Sequence, residues 1–519
     1  MRWYSLSLST SLSISLAPAI ALGLVACGQS KPQEAGSAGS AGSAAVTEAR
    51  PVAKKPVDTR PLPPLAKDPG GATGKPLRSV GFGGLGVDAP RAIAVAATGD
   101  AYVVGYFDRE GDFGPAGKIK AAGDQTVKKD PPSDGYIVKV GADGKLAWAR
   151  AFGGDHGEVA NGVAVRGDRI AVVGTFADEI KLGEIAKQAK GSDDVFVAAL
   201  DPSGAARWVW QAGGKDSDGA HSVAAMPDGG WVVGGSYTST ATFGTVELKS
   251  KGGTDAFLLK LDAAGDLEWV KSFGGRYPDR IKHLGVDGQG NIYVEGEFRD
   301  AADWGGEKPL TAAGGADFDI VLAKYDLNGD HKWSKRFGGQ FDEHAAGIAV
   351  DPAGNVTITG AFRKQISFGD GDDHVSLGED DLYVARFDTN GKLAWARTYG
   401  AERDDSGGGV AADAAGNTVV TGWFQSVVDF GKGTVRSKNN NKDVFTLKLD
   451  PQGALVWVQT WGDKDHDQGR GIAINDKGAS YVIGLYRFQL AAVEPPLESA
   501  HAADDRAPEP DTFVVKLDR

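Results

Sequence analysis

From residue 77 onward, apolar and polar positions alternate in short runs separated by Gly, Asp and Asn, and the runs return at a regular interval. In one unit they read GIAV (347–350), VTITGAF (356–362), LYVARFD (382–388) and LAWARTYG (393–400). Short runs with period-two alternation and many β-branched and aromatic residues predict half-buried strands. The intervening DPAGN (351–355) and DTNG (388–391) supply residues that tolerate tight or left-handed turns. Each unit therefore predicts a four-stranded antiparallel meander. No run in the repeat region has helical periodicity.

Columns of residues carry the interval. Trp148, Trp208, Trp269, Trp333, Trp395 and Trp457 close a G-x-x-x-W motif at steps of 60 to 64 residues. An aspartate precedes an apolar run at Asp134, Asp194, Asp255, Asp319, Asp381, Asp443 and Asp511. In the first run of each unit, Ile93, Val163, Val223, Leu284, Ile348, Val410 and Ile472 are each followed by Ala or Gly. Small residues at that position fit a crowded axis. Small sheets repeated about an axis make a β-propeller, in which blades cover one another's faces. The expected fold class is all-β: a seven-bladed β-propeller with four-stranded antiparallel blades. The last unit stops at its third strand, TFVVKLDR (512–519), while LRSVGFGG (77–84) stands alone at the front. That orphan strand is expected to complete the last blade and close the ring, with Arg78 where other units have Trp. The repeats are expected at about 85–154, 155–214, 215–275, 276–339, 340–401, 402–462 and 463–519.

The succession G-x-L-x-W-x-x-x-F-G-G, an acidic residue, D-x-x-G-N, V-x-G-x-F and D-x-F-x-x-K-L-D resembles the bacterial SBBP (seven-bladed β-propeller) repeat over residues 77–519. The resemblance implies the fold and a secreted location, and implies no particular activity.

The N-terminus adds an address. Residues 1–26 read as a secretory signal peptide ending in Leu24-Val25-Ala26 before Cys27, the sole cysteine, which rules out an internal disulfide. The arrangement is similar to a lipobox, so Cys27 is the expected lipid-attachment site, and the membrane is an expected partner through that anchor. Residues 27–76 have tether composition, with GSAGSAGSAA (36–45) flexible and residues 51–71 rich in proline. By analogy with other bacterial lipoproteins, an outer-membrane location is expected, on a side the sequence does not specify. The net charge of −13 argues against a general nucleic-acid binder.

Two columns stand out as candidate chemistry near the axis. Asp88, Glu158, Asp218, Asp279, Glu343, Asp405 and Asp467 put an acid in every unit. They suit either an acidic ring for cations or a basic partner, or carboxylates capping their own turns. Three residues later the column is irregular: Arg91, Asn161, His221, Lys282, Ala346, Gly408 and Arg470. Its variety suits a specific binding face, or else sequence drift between repeats. The connections between second and third strands read as long, dissimilar charged loops, another candidate for partner recognition. Asp463, Asp465 and Asp467 in DKDHDQG begin like a calcium loop, although Gln468 and Ile474 depart from its pattern, so calcium is a possible ligand and no cofactor is required. The resulting expectation is a monomeric binding or scaffolding module of the cell envelope for an unidentified protein or ligand, and not an enzyme, since no catalytic constellation is evident. The rival expectations are an enzyme or metal-dependent binder with a site in the central channel, and a passive structural protein of the envelope.

Overall fold

In the fifth repeat the four strands are Glu343–Val350, Val356–Ser367, Asp373–Phe387 and Leu393–Tyr399, paired in that order and all antiparallel. The computed structural model describes residues 73–126, 131–315, 317–369, 371, 373–492, 496–499 and 509–519. Cys27, the leader and all but the last residues of the tether lie outside them. The described residues are almost entirely strands, with two single-turn 3₁₀ helices, Gly114–Ala116 and Lys438–Asn440, and no α-helix.

The turns behave as their residues dictate. In the D-x-x-G-N turns, Asp287, Asp351 and Asp413 each accept N–H bonds from residues two and four positions on. The asparagine amide closes the loop on the other carboxylate oxygen. The third-to-fourth turns repeat this with Asp201, Asp262, Asp326, Asp388 and Asp450.

Second and third strands extend further than the apolar runs suggest. In the second, third and fifth repeats they form long regular hairpins, as in Arg169–Leu182 with Ile185–Leu200, where loops were expected. Polar side chains alternate along these arms, which hides their strand character from an apolar-run search. In the first six repeats a residue with left-handed φ kinks the arm away from its sheet: Arg109, Asp178, Ser239, Asp300, Lys364 and Ser426.

The arms link the repeats. The double glycine ending a fourth strand pairs with the arm of the next repeat, as in Gly213↔Thr242 and Gly214↔Ala241. A Cβ on Gly214 would lie 2.0 Å from the Thr240 carbonyl oxygen, so only glycine permits this approach. The repeated tryptophans serve the same end. Trp148 covers the turn glycine Gly204 of the next repeat and donates Nε1–H to Pro202 O at 3.1 Å. Trp395 does the same to Gly453 and Pro451.

The front strand, Pro76–Gly84, starts one residue before its expected position. It pairs antiparallel with Asp511–Leu517, in the order Gln468–Ile474, Ser480–Tyr486, Asp511–Leu517, Pro76–Gly84. Its Gly83 and Gly84 also pair with Asp112 and Gly111 in the first repeat's arm. One apolar core joins first-repeat residues Val103, Phe107 and Tyr136 to Phe82, Ile483 and Val514.

Candidate functional site

The first strands of the repeats line a common cavity of about 190 Å³. These strands are Asp88–Val95, Glu158–Arg166, Gly219–Ala225, Arg280–Val286, Glu343–Val350, Ser406–Ala412 and Gln468–Ile474. Each carries a register shift against its second strand at the same place, and the residue left out of the pairing is Arg91, Asn161, His221, Lys282, Ala346, Gly408 or Arg470. The irregular column of the sequence is thus a set of β-bulge residues. A bulge twists the strand locally and re-aims one side chain, which is why bulges gather beside binding sites.

The backbone device repeats and the side chains do not. Asn161 donates to Ala220 O at 3.0 Å, and the His221 imidazole bonds Ile281 O at 2.7 Å, so these two tie neighbouring first strands together. Burial lowers the His221 pKa to about 4, keeping the ring neutral. At Gly408 a Cβ would lie 2.1 Å from Gly469 O, so the chain is too close there for any larger residue. The cationic members are Arg91, Lys282 and Arg470. Arg91 stacks over Tyr106, 5.2 Å from its centroid. Arg470 lies among the first strands yet is exposed to water in the cavity, and its pKa falls to about 10 through desolvation and the neighbouring Arg91 charge.

A second group lies beside the bulges of the fourth repeat. Arg280 Nε donates to Glu297 at 2.9 Å, and Glu297 also accepts from the Ala345 N–H at 3.1 Å. Although burial opposes its charge, Lys282 and Arg280 hold the Glu297 pKa down to about 2. Glu295, two residues earlier, is fully buried, and burial with the Glu297 charge pushes its pKa well up. The Tyr383 hydroxyl reaches it at 3.5 Å. Sequence reasoning passed over these glutamates, although a signal was present. In the V-x-G-x-F column the fourth repeat alone, VEGEF (294–298), carries charge on both sides of the glycine.

The acidic column is not a solvent-facing ring. Asp88, Glu158, Asp218, Asp279, Glu343, Asp405 and Asp467 are all buried. Each accepts the N–H of the residue four positions earlier, from Gly84 to Asp88 at 2.7 Å through Asp463 to Asp467 at 2.8 Å. The aspartates of the third-strand column sit close by, so that Gly153 and Gly338 each lie between two buried carboxyl groups. Desolvation raises these pKa values, to about 9 for Glu158 and Glu343, about 8 for Asp405 and Asp467 and about 7 for Asp218 and Asp279.

The calcium pattern also resolves into turn capping. Asp463 accepts the N–H groups of Asp465 and Gln489, Asp465 that of His466 and Asp467 that of Asp463. Among the described residues, no three His, Cys, Asp or Glu side chains are grouped to hold a metal ion.

No family model matches the chain. It is 26% identical over 231 residues to the regulatory protein FlaEY of Caulobacter vibrioides, covering 42% of this chain and 23% of that protein. It is 24% identical over 199 residues to the uncharacterised WD repeat-containing protein L264 of Acanthamoeba polyphaga mimivirus, covering 32% and 14%. The chain therefore spans well under two thirds of the length of these curated relatives. Among solved structures, the Neurospora crassa Pan2 WD40 domain aligns with TM-score 0.42 and 10% identity, covering 86% of this chain and 98% of that one. A gluconolactonase of Xanthomonas campestris (TM-score 0.31, 11% identity, 89% and 99% covered) and the Synechocystis apocarotenoid oxygenase (0.38, 13%, 86% and 94%) are also similar. The expectation that the chain is not an enzyme is corrected here. Enzymes stand among its structural neighbours, so the fold gives no ground for excluding catalysis.

Proposed function

We propose that the protein is a lipid-anchored, extracytoplasmic propeller of SBBP type that binds a protein or ligand of the cell envelope on the face where the bulge residues open. The observation that carries this reading is the bulge itself. One backbone feature recurs in all seven first strands and presents differing side chains around one cavity. A column with a purely structural role would repeat its residue, as the capping carboxylates do. Seven blades in a closed ring are the reading supported by the seven first strands, each touching the next and the last touching the first, and by the front strand's pairing with both the last and the first repeats. The anchor rests on Cys27 and the tether that follows it.

Two measurements test this. Capture from an envelope extract should fall sharply on Arg91→Ala with Lys282→Ala, and persist on Lys145→Ala with Lys392→Ala at the turns of the opposite face. Equal capture by both variants would remove the bulge face from the reading. Cys27→Ser should move the protein out of the membrane fraction, and continued co-fractionation would remove the anchor.

A second reading, a ligand-transforming site in the channel, is favoured by the Arg280, Lys282, Glu295, Glu297 and Tyr383 group. It occurs in one part of the ring only, and its carboxyl groups are strongly perturbed in opposite directions.

A further inference from the structure

Arg470 and Arg91 are the bulge residues of the last and first repeats, whose first strands lie side by side. Both line the cavity. Among the described residues neither forms an ion pair, and the Arg91 Nε is buried with no hydrogen-bond partner. Among the described residues, Arg91 rests on the aromatic face of Tyr106. Other arginines of the neighbouring repeats are matched: Arg280 by Glu297, Arg363 by Asp380 at 2.7 Å, Arg299 by Asp342 at 3.6 Å. Lys282, three repeats away, feels the Arg91 charge but also the closer Glu297. Two neighbouring guanidinium groups in a shared cavity repel, and an uncompensated pair of this kind is costly unless something negative joins it.

We propose that Arg91 and Arg470 form a binding site for a small oxyanion, a phosphate or carboxylate group, at the cavity between the last and first repeats. Guanidinium groups present planar forks of donors that match both ligands bidentately, and Arg stays charged when partly desolvated. Ala346 and Gly408, in the fifth and sixth repeats, bring no large side chain into the cavity, which leaves room for the rest of a small ligand. The neutral His221 and the amide of Asn161 supply polar, uncharged walls. The site rests on the reading of the bulge face as a ligand-binding face, and it specifies the chemistry of what binds.

The test uses the full-length protein in chloride buffer of constant ionic strength, with inorganic phosphate and succinate as probes, followed by calorimetry and thermal melting. Saturable binding of at least one probe is expected. Arg91→Gln and Arg470→Gln should each weaken it at least tenfold, while Lys145→Gln leaves it unchanged. In probe-free buffer Arg470→Gln should melt higher than the parent, because one of two repelling charges is gone, whereas a structural arginine would melt lower on loss. Binding of phosphate alone or succinate alone distinguishes the two sources of the oxyanion. Absence of saturable binding for both probes, or unchanged affinity in both single variants, overturns the site. If anion binding holds while envelope capture fails, the site stands and the partner-binding reading falls; the reverse result removes the anion site alone.

Discussion

Asp518 and Lys75 build one turn from the two ends of the repeat region. The Lys75 N–H donates to Asp518 Oδ1 at 2.8 Å, and the Asp518 N–H donates to Lys75 O at 3.0 Å. In the continuous turn of the second repeat, Ala205 and Asp201 make the same two bonds at 3.2 and 3.0 Å. Gly74 has left-handed φ like Gly204, and Trp457 covers it as Trp148 covers Gly204. The seventh repeat therefore has its hairpin turn with the peptide link missing. Asp518→Ala should cost about 1 kcal/mol, the usual worth of a capping carboxylate, read as a lowered urea midpoint. Deleting residues 73–84 should cost far more, because it strips a paired strand and exposes two edges; an unchanged midpoint would break the closure model.

The same seam carries an unfavourable pair. Arg78 stands opposite Lys516, where the other repeats oppose their third-strand residue with tryptophan. Like charges directly opposite are destabilising. The Arg78 stem already lies against Gly144, the place a tryptophan ring would cover. Arg78→Trp should therefore stabilise the protein by about 1 kcal/mol, through removed repulsion and added aromatic burial. A lower melting temperature in this variant would contradict the account.

Stability should fall as pH rises. The folded-state pKa values of Asp218, Asp279, Asp405, Asp467, Glu158 and Glu343 are raised to about 7–9 by burial. Unfolded, these groups titrate near pH 4, so between about pH 4 and pH 9 the folded chain binds more protons than the unfolded one. The slope of stability against pH is then negative across that window. The melting temperature should be higher at pH 5.5 than at pH 9, and Glu158→Gln with Glu343→Gln should flatten the dependence. A rising profile over the same range would reverse the sign and refute it.

Glu295 and Glu297 should respond oppositely to the same substitution. Glu297 is ionised and paired with the half-buried Arg280, so Glu297→Gln removes that partner charge and should cost about 3 kcal/mol. Burial favours the protonated form of Glu295, so an amide should replace it at a cost of about 0.5 kcal/mol or less. Denaturant midpoints of the two variants decide this, and equal losses would mean that both carboxyl groups carry charge.

Chelation is expected to leave the protein unmoved. Asp463, Asp465 and Asp467 each accept a backbone N–H of their own turn. Melting curves in calcium and in EDTA should superimpose, and a drop of several degrees in EDTA would show that these side chains regroup around a cation.

The sequence by itself determined what is periodic: the strands, the turn residues, the missing seventh tryptophan and the front strand that replaces a fourth strand. These are local properties, set by side-chain alternation and by the few residues that a tight turn accepts. It also marked Arg91 to Arg470 as a column that varies. Only the tertiary structure decided what that column is. A bulge depends on the register between two strands, and register shows in no single run of residues. The acids from Asp88 to Asp467 looked equally suited to a ring or to caps, because burial is decided by the arm of the same or the adjoining repeat. The pairing of Arg280 with Glu297, and the placing of Arg91 beside Arg470, depend likewise on which charges the fold brings together from positions distant in the chain.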